Sequence, residues 1–92
     1  AKIQAQLLVV SRPCPNISTN LYLGLKSKQV SCLQDFLKQQ GADIYPQGIV
    51  SSYFGPLTQQ AVIKFQEKYG ILATGYVGVL TRAKINQLFG IQ

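Results

Sequence analysis

Side chains that commonly carry out catalysis are scarce in this sequence. It has no histidine, and its acids are Asp35, Asp43 and Glu67. Histidine is the commonest general base and metal ligand. Glycoside hydrolysis uses paired carboxylates, and the spacing of these three acids supports no such pair. Cys14 and Cys32 lack a histidine partner for nucleophilic catalysis, and no spacing typical of a zinc site is present. The sequence therefore predicts a chain that is not an enzyme and has no metal or cofactor.

The organisation of the chain follows a short phrase that occurs three times. The phrase is a tyrosine, an apolar residue, a glycine, two further residues and a serine or threonine, and it begins at Tyr22, Tyr53 and Tyr76. Its glycine can adopt the positive φ of a tight turn, and its hydroxyl residue suits a helix N-cap. After each phrase, apolar residues recur at steps of three and four, which is typical of an amphipathic helix. They are Val30, Leu33 and Leu37, then Val62, Phe65 and Tyr69, then Ile85, Leu88 and Phe89.

Three helices around one small core are expected from this pattern. Gly41 suits the position after the first helix, because glycine accepts the left-handed conformation there. The turn signal Pro46–Gly48 predicts a long loop or a small hairpin over residues 41–52. The expected helices run from after Ser27 to about Gln40, from after Thr58 to about Gly70, and from after Thr81 to Gly90.

A longer ordered pattern runs from about Leu21 to Phe89, which is most of the chain. Its members are Val30, Leu33-Gln34, Phe36-Leu37, Gly41, Gly48, Tyr53-Phe54-Gly55, Thr58, Ala61-Val62, Phe65-Gln66, Gly70-Ile71, Gly75, Val77-Gly78 and Thr81. Single pieces of it occur by chance, but the ordered set is specific. With this set, the sequence resembles the peptidoglycan-binding domain family. The resemblance implies an all-α fold: a three-helix bundle with a long loop between helices 1 and 2, preceded here by an N-terminal extended or β segment.

The resemblance also implies a function. Members of this family are noncovalent binding modules attached to cell-wall hydrolases and other wall-associated proteins. We therefore expect the chain to anchor its parent protein to bacterial cell-wall peptidoglycan, through the glycan or the stem peptide. The expected location is extracellular or cell-wall associated. Further candidate partners are a neighbouring catalytic domain and a second copy of the chain.

A surface that binds such a polymer needs flat apolar faces for sugar rings, and amides or cations for acetamido and carboxylate groups. The candidate ligand-binding residues are Tyr45, Tyr53, Tyr76 and Arg82. A structural role is the alternative for each of them. Tyr53 and Tyr76 belong to the repeated phrase and would then pack the helix starts into the core, and Arg82 would be a solvated helix residue.

The loops are expected to carry these side chains. We expect loops 41–54 and 71–80 to form a shallow, polar-rimmed cleft. Gln34 and Gln66 lie at the edges of the apolar helix faces. Their amides are expected to tie helices to loops and not to bind ligand.

Two cysteines, Cys14 and Cys32, are the only ones in the chain. An even number of cysteines in a short chain that resembles a wall-associated family predicts a disulfide. The alternative is two separate thiols, with Cys32 a buried helix residue. A disulfide across this separation would contribute about 3 kcal/mol to the free energy of unfolding, which matters for a core as small as 92 residues allow.

The formal net charge is +6, from nine lysines and arginines and three acids. A basic surface suits an acidic polymer, an anionic lipid or a nucleic acid. Nucleic acid is disfavoured, because the cations are scattered and no helix is dense in arginine or asparagine. No apolar run approaches the roughly 20 residues that span a bilayer, so a membrane partner is not expected.

The N-terminal segment differs from the rest of the chain. Residues 3–10 alternate and then end in an apolar run, which predicts a strand. A lone strand leaves unpaired backbone groups, and three partners are open: a preceding domain, the helices of this chain, or another chain through strand addition. The last would make the protein a structural or self-assembling subunit, the alternative function. The expected division is residues 1–13 as the extended segment and residues 14–92 as the three-helix domain.

Overall fold

The computed structural model describes Cys14 and residues 16–90. Within them the chain forms three helices, α1 (Lys28–Gln39), α2 (Pro56–Lys68) and α3 (Val79–Gly90). The described residues form no sheet, and their β-pairing is limited to two isolated antiparallel bridges, Leu21 with Val77 and Lys26 with Tyr53. The all-α, three-helix prediction is confirmed. The predicted strand 3–10, its three possible partners and the boundary at residue 13 lie outside the described residues.

Helix α1 begins and ends as its sequence predicts. The Ser27 hydroxyl accepts a hydrogen bond from the Val30 N–H at 3.3 Å, which satisfies one of the unpaired donors at the helix start. At the other end Gly41 has a φ of 114°, and its N–H donates to the Lys38 carbonyl at 3.2 Å. The left-handed glycine expected after this helix is therefore present.

The other two helices begin earlier than predicted. Helices α2 and α3 start at Pro56 and Val79, two residues before Thr58 and Thr81. The N-cap role expected for these threonines is wrong. Both lie in the first helical turn and are buried, where their hydroxyls accept hydrogen bonds from distant glutamine side chains. Pro56 at the first helical position explains the earlier start of α2. Its fixed φ suits that position, and a backbone N–H there would have no partner within the helix, so proline loses no hydrogen bond.

Only two of the three repeated phrases share a structure. In the first, Gly24 has a φ of 95° and Ser27 is the N-cap of α1. In the second, Gly55 is itself the N-cap of α2, with a φ of −101°. The third resembles the second, because α3 begins at Val79, directly after Gly78. The equivalence of all three phrases is therefore wrong, because the hydroxyl residue falls at a different helical position in the first.

The long loop is not a hairpin. It begins with a turn in which the N–H groups of Ile44 and Tyr45 both donate to the Gly41 carbonyl. Helix α2 ends at Lys68 and is followed by Tyr69, its C-cap, and by Gly70, whose φ is 70°. The Ile71 N–H donates to the Gln66 carbonyl at 2.8 Å, which is the pattern of a Schellman motif.

All three helices contribute to one hydrophobic core. Phe36 of α1 lies edge to face against Phe65 of α2 and Phe89 of α3, with ring centroids 5.4 and 5.1 Å apart. Such pairs add to the free energy gained by burying their area. The loops complete the core with apolar side chains at Ile17, Leu21, Ile44, Phe54 and Val77.

The segment before α1 is fixed to two helices. Cys14 and Cys32 form a disulfide with Cα atoms 5.6 Å apart, so the predicted bridge is confirmed. Asn86 of α3 pairs with the backbone of Ile17, since its side chain accepts from the N–H at 2.8 Å and donates to the carbonyl at 2.9 Å. Gln29 of α1 accepts from the backbone N–H of Ser18.

None of the described helices is long and apolar enough to cross a membrane.

Candidate functional site

One glutamine side chain fixes the start of α2 to α1. Gln34 is buried, and its Oε1 accepts from the backbone N–H groups of Ser51 and Ser52 at 2.9 and 3.0 Å. Its Nε2 donates to the Tyr53 carbonyl at 2.9 Å and to the Thr58 hydroxyl at 3.0 Å. Both N–H groups and the carbonyl oxygen are thus occupied within the protein.

A second glutamine repeats this arrangement between α2 and α3. Gln66 is also buried, and its Oε1 accepts from the Gly75 N–H at 2.9 Å. Its Nε2 donates to the Tyr76 carbonyl at 3.0 Å and to the Thr81 hydroxyl at 3.1 Å. The expectation that these two glutamines tie helices to loops is confirmed.

The tyrosine before each helix lies across a glycine. A Cβ atom at position 55 would lie 3.2 Å from the Tyr53 ring, and one at position 78 would lie 3.4 Å from the Tyr76 ring. A side chain at position 55 would therefore be closer to its ring than ordinary contact, whereas one at position 78 would make an ordinary contact. Gly55 does not adopt the positive φ that glycine permits, since its φ is −101°. Tyr53 and Tyr76 are 48% and 45% exposed, so the alternative that they pack into the core is also wrong.

Each tyrosine borders a pocket beside a helix start. The first pocket has a volume of about 190 Å³ and the second about 230 Å³. The first is lined by Gln34, Tyr45, Ile49, Ser51, Tyr53, Gly55, Pro56, Leu57 and Thr58. The second is lined by Gln66, Ile71, Leu72, Thr74, Tyr76, Gly78, Val79, Leu80 and Thr81. They share no lining residue, so the two loops that were expected to form one cleft border two different pockets, together with residues of the helices.

The two linings correspond position by position. Seven residues of the first pocket have a counterpart 23 positions later in the second; the pairs are Ile49 and Leu72, Ser51 and Thr74, Tyr53 and Tyr76, Gly55 and Gly78, Pro56 and Val79, Leu57 and Leu80, and Thr58 and Thr81. In both pockets the hydroxyl two residues before the tyrosine accepts from the tyrosine N–H. The repeated phrase therefore builds the same site twice.

The pocket rims are apolar, in contrast to the polar rim expected. Leu57 is 45% exposed at the first pocket, and Leu72 and Leu80 are 82% and 71% exposed at the second. The polar groups of the linings belong mainly to the glutamine and threonine pairs, which already bond to each other. Neither lining contains a charged residue among those described. Such pockets suit small uncharged groups with an apolar surface.

Comparison with known proteins identifies the family. Residues 26–85, about two thirds of the chain, match the family model described as a putative peptidoglycan binding domain. The chain belongs to this family. A comparison of the whole chain with curated proteins gave no significant match.

Two solved structures resemble this peptidoglycan binding domain. The SleB N-terminal domain is 30% identical with a TM-score of 0.72, and the match covers 80% of this chain and 97% of that one. A peptidoglycan-binding protein from Clostridioides difficile, solved in complex with glutamine hydroxamate, is 32% identical with a TM-score of 0.66. That match covers 76% of this chain and 42% of the other.

The candidate residues of this peptidoglycan binding domain occupy different places. Tyr45 lines the first pocket but is only 3% exposed, and its hydroxyl donates to the Ile49 carbonyl at 2.7 Å. Tyr76 borders the second pocket, where its ring stacks on Tyr22 with centroids 5.8 Å apart and an angle of 9°. Arg82 lines neither pocket, and its Nε donates to the Asn20 side chain at 3.0 Å. The first pocket therefore brings Tyr45 and Tyr53 together, whereas Tyr76 and Arg82 lie apart from them.

Sequence reasoning missed the aliphatic half of both pockets. Ile49, Leu57, Leu72 and Leu80 are large apolar residues in loops or in the first turn of a helix, outside the apolar stripe of α2 or α3. That position is the signal that could have identified them, since an exposed apolar cluster marks a binding surface. Among the described residues, no acidic, histidine or cysteine cluster could hold a metal ion.

Proposed function

We propose that this domain binds bacterial cell-wall peptidoglycan noncovalently and thereby anchors its parent protein to the wall. The observation that carries the proposal is the pair of apolar pockets, each bordered by an exposed tyrosine that lies over a glycine. Membership of the peptidoglycan binding domain family supports it, and so does the likeness to a peptidoglycan-binding protein from Clostridioides difficile.

The chemistry of the pockets suits an amino-sugar polymer. The apolar face of a sugar ring packs on an exposed aromatic side chain, and Tyr53 and Tyr76 offer such faces. The aliphatic rims suit the methyl groups of acetamido and alanyl units. The net charge of +6 acts at longer range, because it raises the local concentration of a polymer that carries carboxylates.

The domain itself performs no catalysis in this proposal. Any cell-wall hydrolysis would belong to a neighbouring domain of the parent protein. The disulfide Cys14–Cys32 supports an extracellular location, because such bonds persist in oxidising compartments and are rare in the cytosol. Binding through Tyr45 and Arg82 is a lesser part of the proposal, since the first is buried and the second lies outside both pockets.

Cosedimentation of the oxidised domain with purified peptidoglycan sacculi tests this function. We expect retention at low and at physiological salt, and release by soluble wall fragments. Retention at low salt alone would mean that the net charge acts without specificity, and no retention at either would remove the proposed function. A Tyr53→Ala/Tyr76→Ala variant should lose retention, whereas Leu23→Ala, at an exposed apolar residue outside both pockets, should keep it.

A further inference from the structure

We propose that the two pockets are two subsites of the same chemistry, which bind two units of one wall polymer at the same time. This inference rests on the proposed function. Its first support is that seven lining residues of one pocket recur 23 positions later in the other. Its second is that a buried glutamine, the tyrosine carbonyl and a threonine hydroxyl form the same hydrogen-bonded floor in each.

Two matching pockets point to a ligand that presents the same group twice. A polymer of repeating units does so, whereas a single small molecule fills one pocket. Both linings lack charged residues within the described part of the chain, so the group bound is uncharged. The apolar rims and the exposed tyrosines select a methyl group beside a secondary amide. In peptidoglycan this group has two sources, the acetamido substituent of the sugars and the alanyl unit of the stem peptide.

The two subsites differ in strength. The Tyr76 ring is stacked on Tyr22, which widens the aromatic surface beside the second pocket and holds the ring in place. In the described residues no aromatic ring stacks on Tyr53. We therefore expect short wall fragments to bind the second subsite more tightly than the first.

Simultaneous binding makes a specific prediction about polymer length. Once one unit is held, the second binds as an intramolecular step at a high effective concentration, which raises overall affinity by roughly 10²–10⁴-fold when the geometry fits. Removal of either subsite should therefore lower retention on intact sacculi by at least about tenfold. The same change should leave the affinity of the other subsite for a short fragment unaltered.

Two matched variants separate the subsites. Leu57 and Leu80 are exposed rim residues at the second position of α2 and α3. Leu57→Asp and Leu80→Asp place a charge at one rim each, and an acidic residue in the first helical turn favours the helix, so both variants should fold. Gln60→Asp and Ala83→Asp add the same charge to exposed positions of the same helices that line neither pocket.

Binding at each subsite is followed by NMR during titration with disaccharide-peptide fragments of peptidoglycan. The amide chemical shift of Gly55 reports on the first subsite and that of Gly78 on the second. We expect both amides to shift in the natural chain, only Gly78 in Leu57→Asp, and only Gly55 in Leu80→Asp. Each of these variants should also lose sacculus retention, and the two controls should keep it. An oligomer of N-acetylglucosamine and the free stem peptide, titrated separately, distinguish the two sources of the bound group.

The outcomes that contradict the inference differ from those that contradict the proposed function. Shifts at only one of the two amides, with retention lost in only one aspartate variant, would show a single subsite and leave wall binding intact. Retention on sacculi unchanged in both single variants would exclude simultaneous binding. A natural chain that neither binds sacculi nor shifts with fragments would remove the proposed function, and the two subsites with it.

Discussion

The side-chain amide of Gln34 donates a hydrogen bond to the hydroxyl of Thr58 over 3.0 Å, and this bond joins α1 to the first turn of α2. The carbonyl oxygen of the same side chain accepts the N–H groups of Ser51 and Ser52. One buried side chain therefore fixes the end of the long loop, the start of a helix and the floor of a pocket. Gln66 and Thr81 form the same link between α2 and α3.

Replacement of this glutamine should destabilise the domain. In Gln34→Leu the leucine cannot bond to the two loop N–H groups, the Tyr53 carbonyl or the Thr58 hydroxyl. Each buried polar group left without a partner costs about 1–3 kcal/mol, and water can reach part of the exposed loop. We expect the free energy of unfolding to fall by about 2–3 kcal/mol, measured by urea denaturation.

The matched control for that substitution is on the same helix. Gln39 is exposed, and its side chain bonds only to Asp35 among the described residues. Gln39→Leu should change the free energy of unfolding by no more than about 0.5 kcal/mol. Equal losses in the two variants would mean that the hydrogen bonds of Gln34 contribute no more to the free energy of unfolding than that of the exposed Gln39.

The connection before α3 depends on a glycine. Gly75 has a φ of 81°, and a Cβ there would lie 2.8 Å from the Gln59 Cγ atom. Gly75→Ala thus combines an unfavourable backbone conformation with a steric clash, and we expect a loss of about 2 kcal/mol in the free energy of unfolding. Gly70→Ala is the control, because Gly70 also has a positive φ but no atom lies within 4 Å of its added Cβ.

Comparison of the two alanine variants isolates the clash. We expect Gly70→Ala to cost about 1 kcal/mol, the conformational part alone. Thermal denaturation of both variants beside the natural chain measures the difference. If Gly70→Ala proves as costly as Gly75→Ala, the contact with Gln59 contributes nothing.

The helices and the core could be predicted from the sequence because both depend on local periodicity. The apolar positions at steps of three and four, such as Val30, Leu33 and Leu37, are buried as expected. The role of Thr58 could not, because its hydroxyl bonds to a glutamine 24 residues earlier in the chain. A capping preference describes only neighbouring residues, and this tertiary contact overrides it.

The pockets were less predictable than the helices. The repeated phrase is enough to select their tyrosines as candidate ligand-binding residues. Helical periodicity places no constraint on Leu57 or Leu80, because these side chains face away from the core. The backbone at Ser52 is another example, since its φ of 72° is rare for a residue other than glycine. Its N–H donates to the side-chain oxygen Oε1 of Gln34, and the equivalent position before Tyr76 is Gly75. Nothing in the Ser51-Ser52 pair alone signals that conformation.

The disulfide should be a main source of stability. The bond between Cys14 and Cys32 closes a separation of 18 residues, and in the chain-entropy model a loop of about this length contributes about 3 kcal/mol. We expect reduction of the natural chain to lower the free energy of unfolding by that amount in urea denaturation. Intact mass after alkylation of the unreduced, denatured chain should show no modified thiol. Two modified thiols would contradict the bond itself.

The position of the Tyr53 ring should depend on the absence of a side chain at residue 55. A Cβ at Gly55 would lie 3.2 Å from this ring, closer than ordinary contact, so Gly55→Ala should displace the ring by a few tenths of an ångström. Gly78→Ala is the matched control, because its Cβ would make ordinary contacts of 3.4 and 3.5 Å with Tyr76. Both variants place alanine at an N-cap and should lose a similar free energy of unfolding, about 0.5–1 kcal/mol.

The two variants should therefore differ in binding and not in stability. We expect the ring-proton shifts of Tyr53 to change in Gly55→Ala more than those of Tyr76 change in Gly78→Ala, where the stack on Tyr22 also holds the ring. Retention on peptidoglycan sacculi should fall in Gly55→Ala and stay near the natural level in Gly78→Ala. Equal retention in the two variants would show that the ring positions do not govern binding.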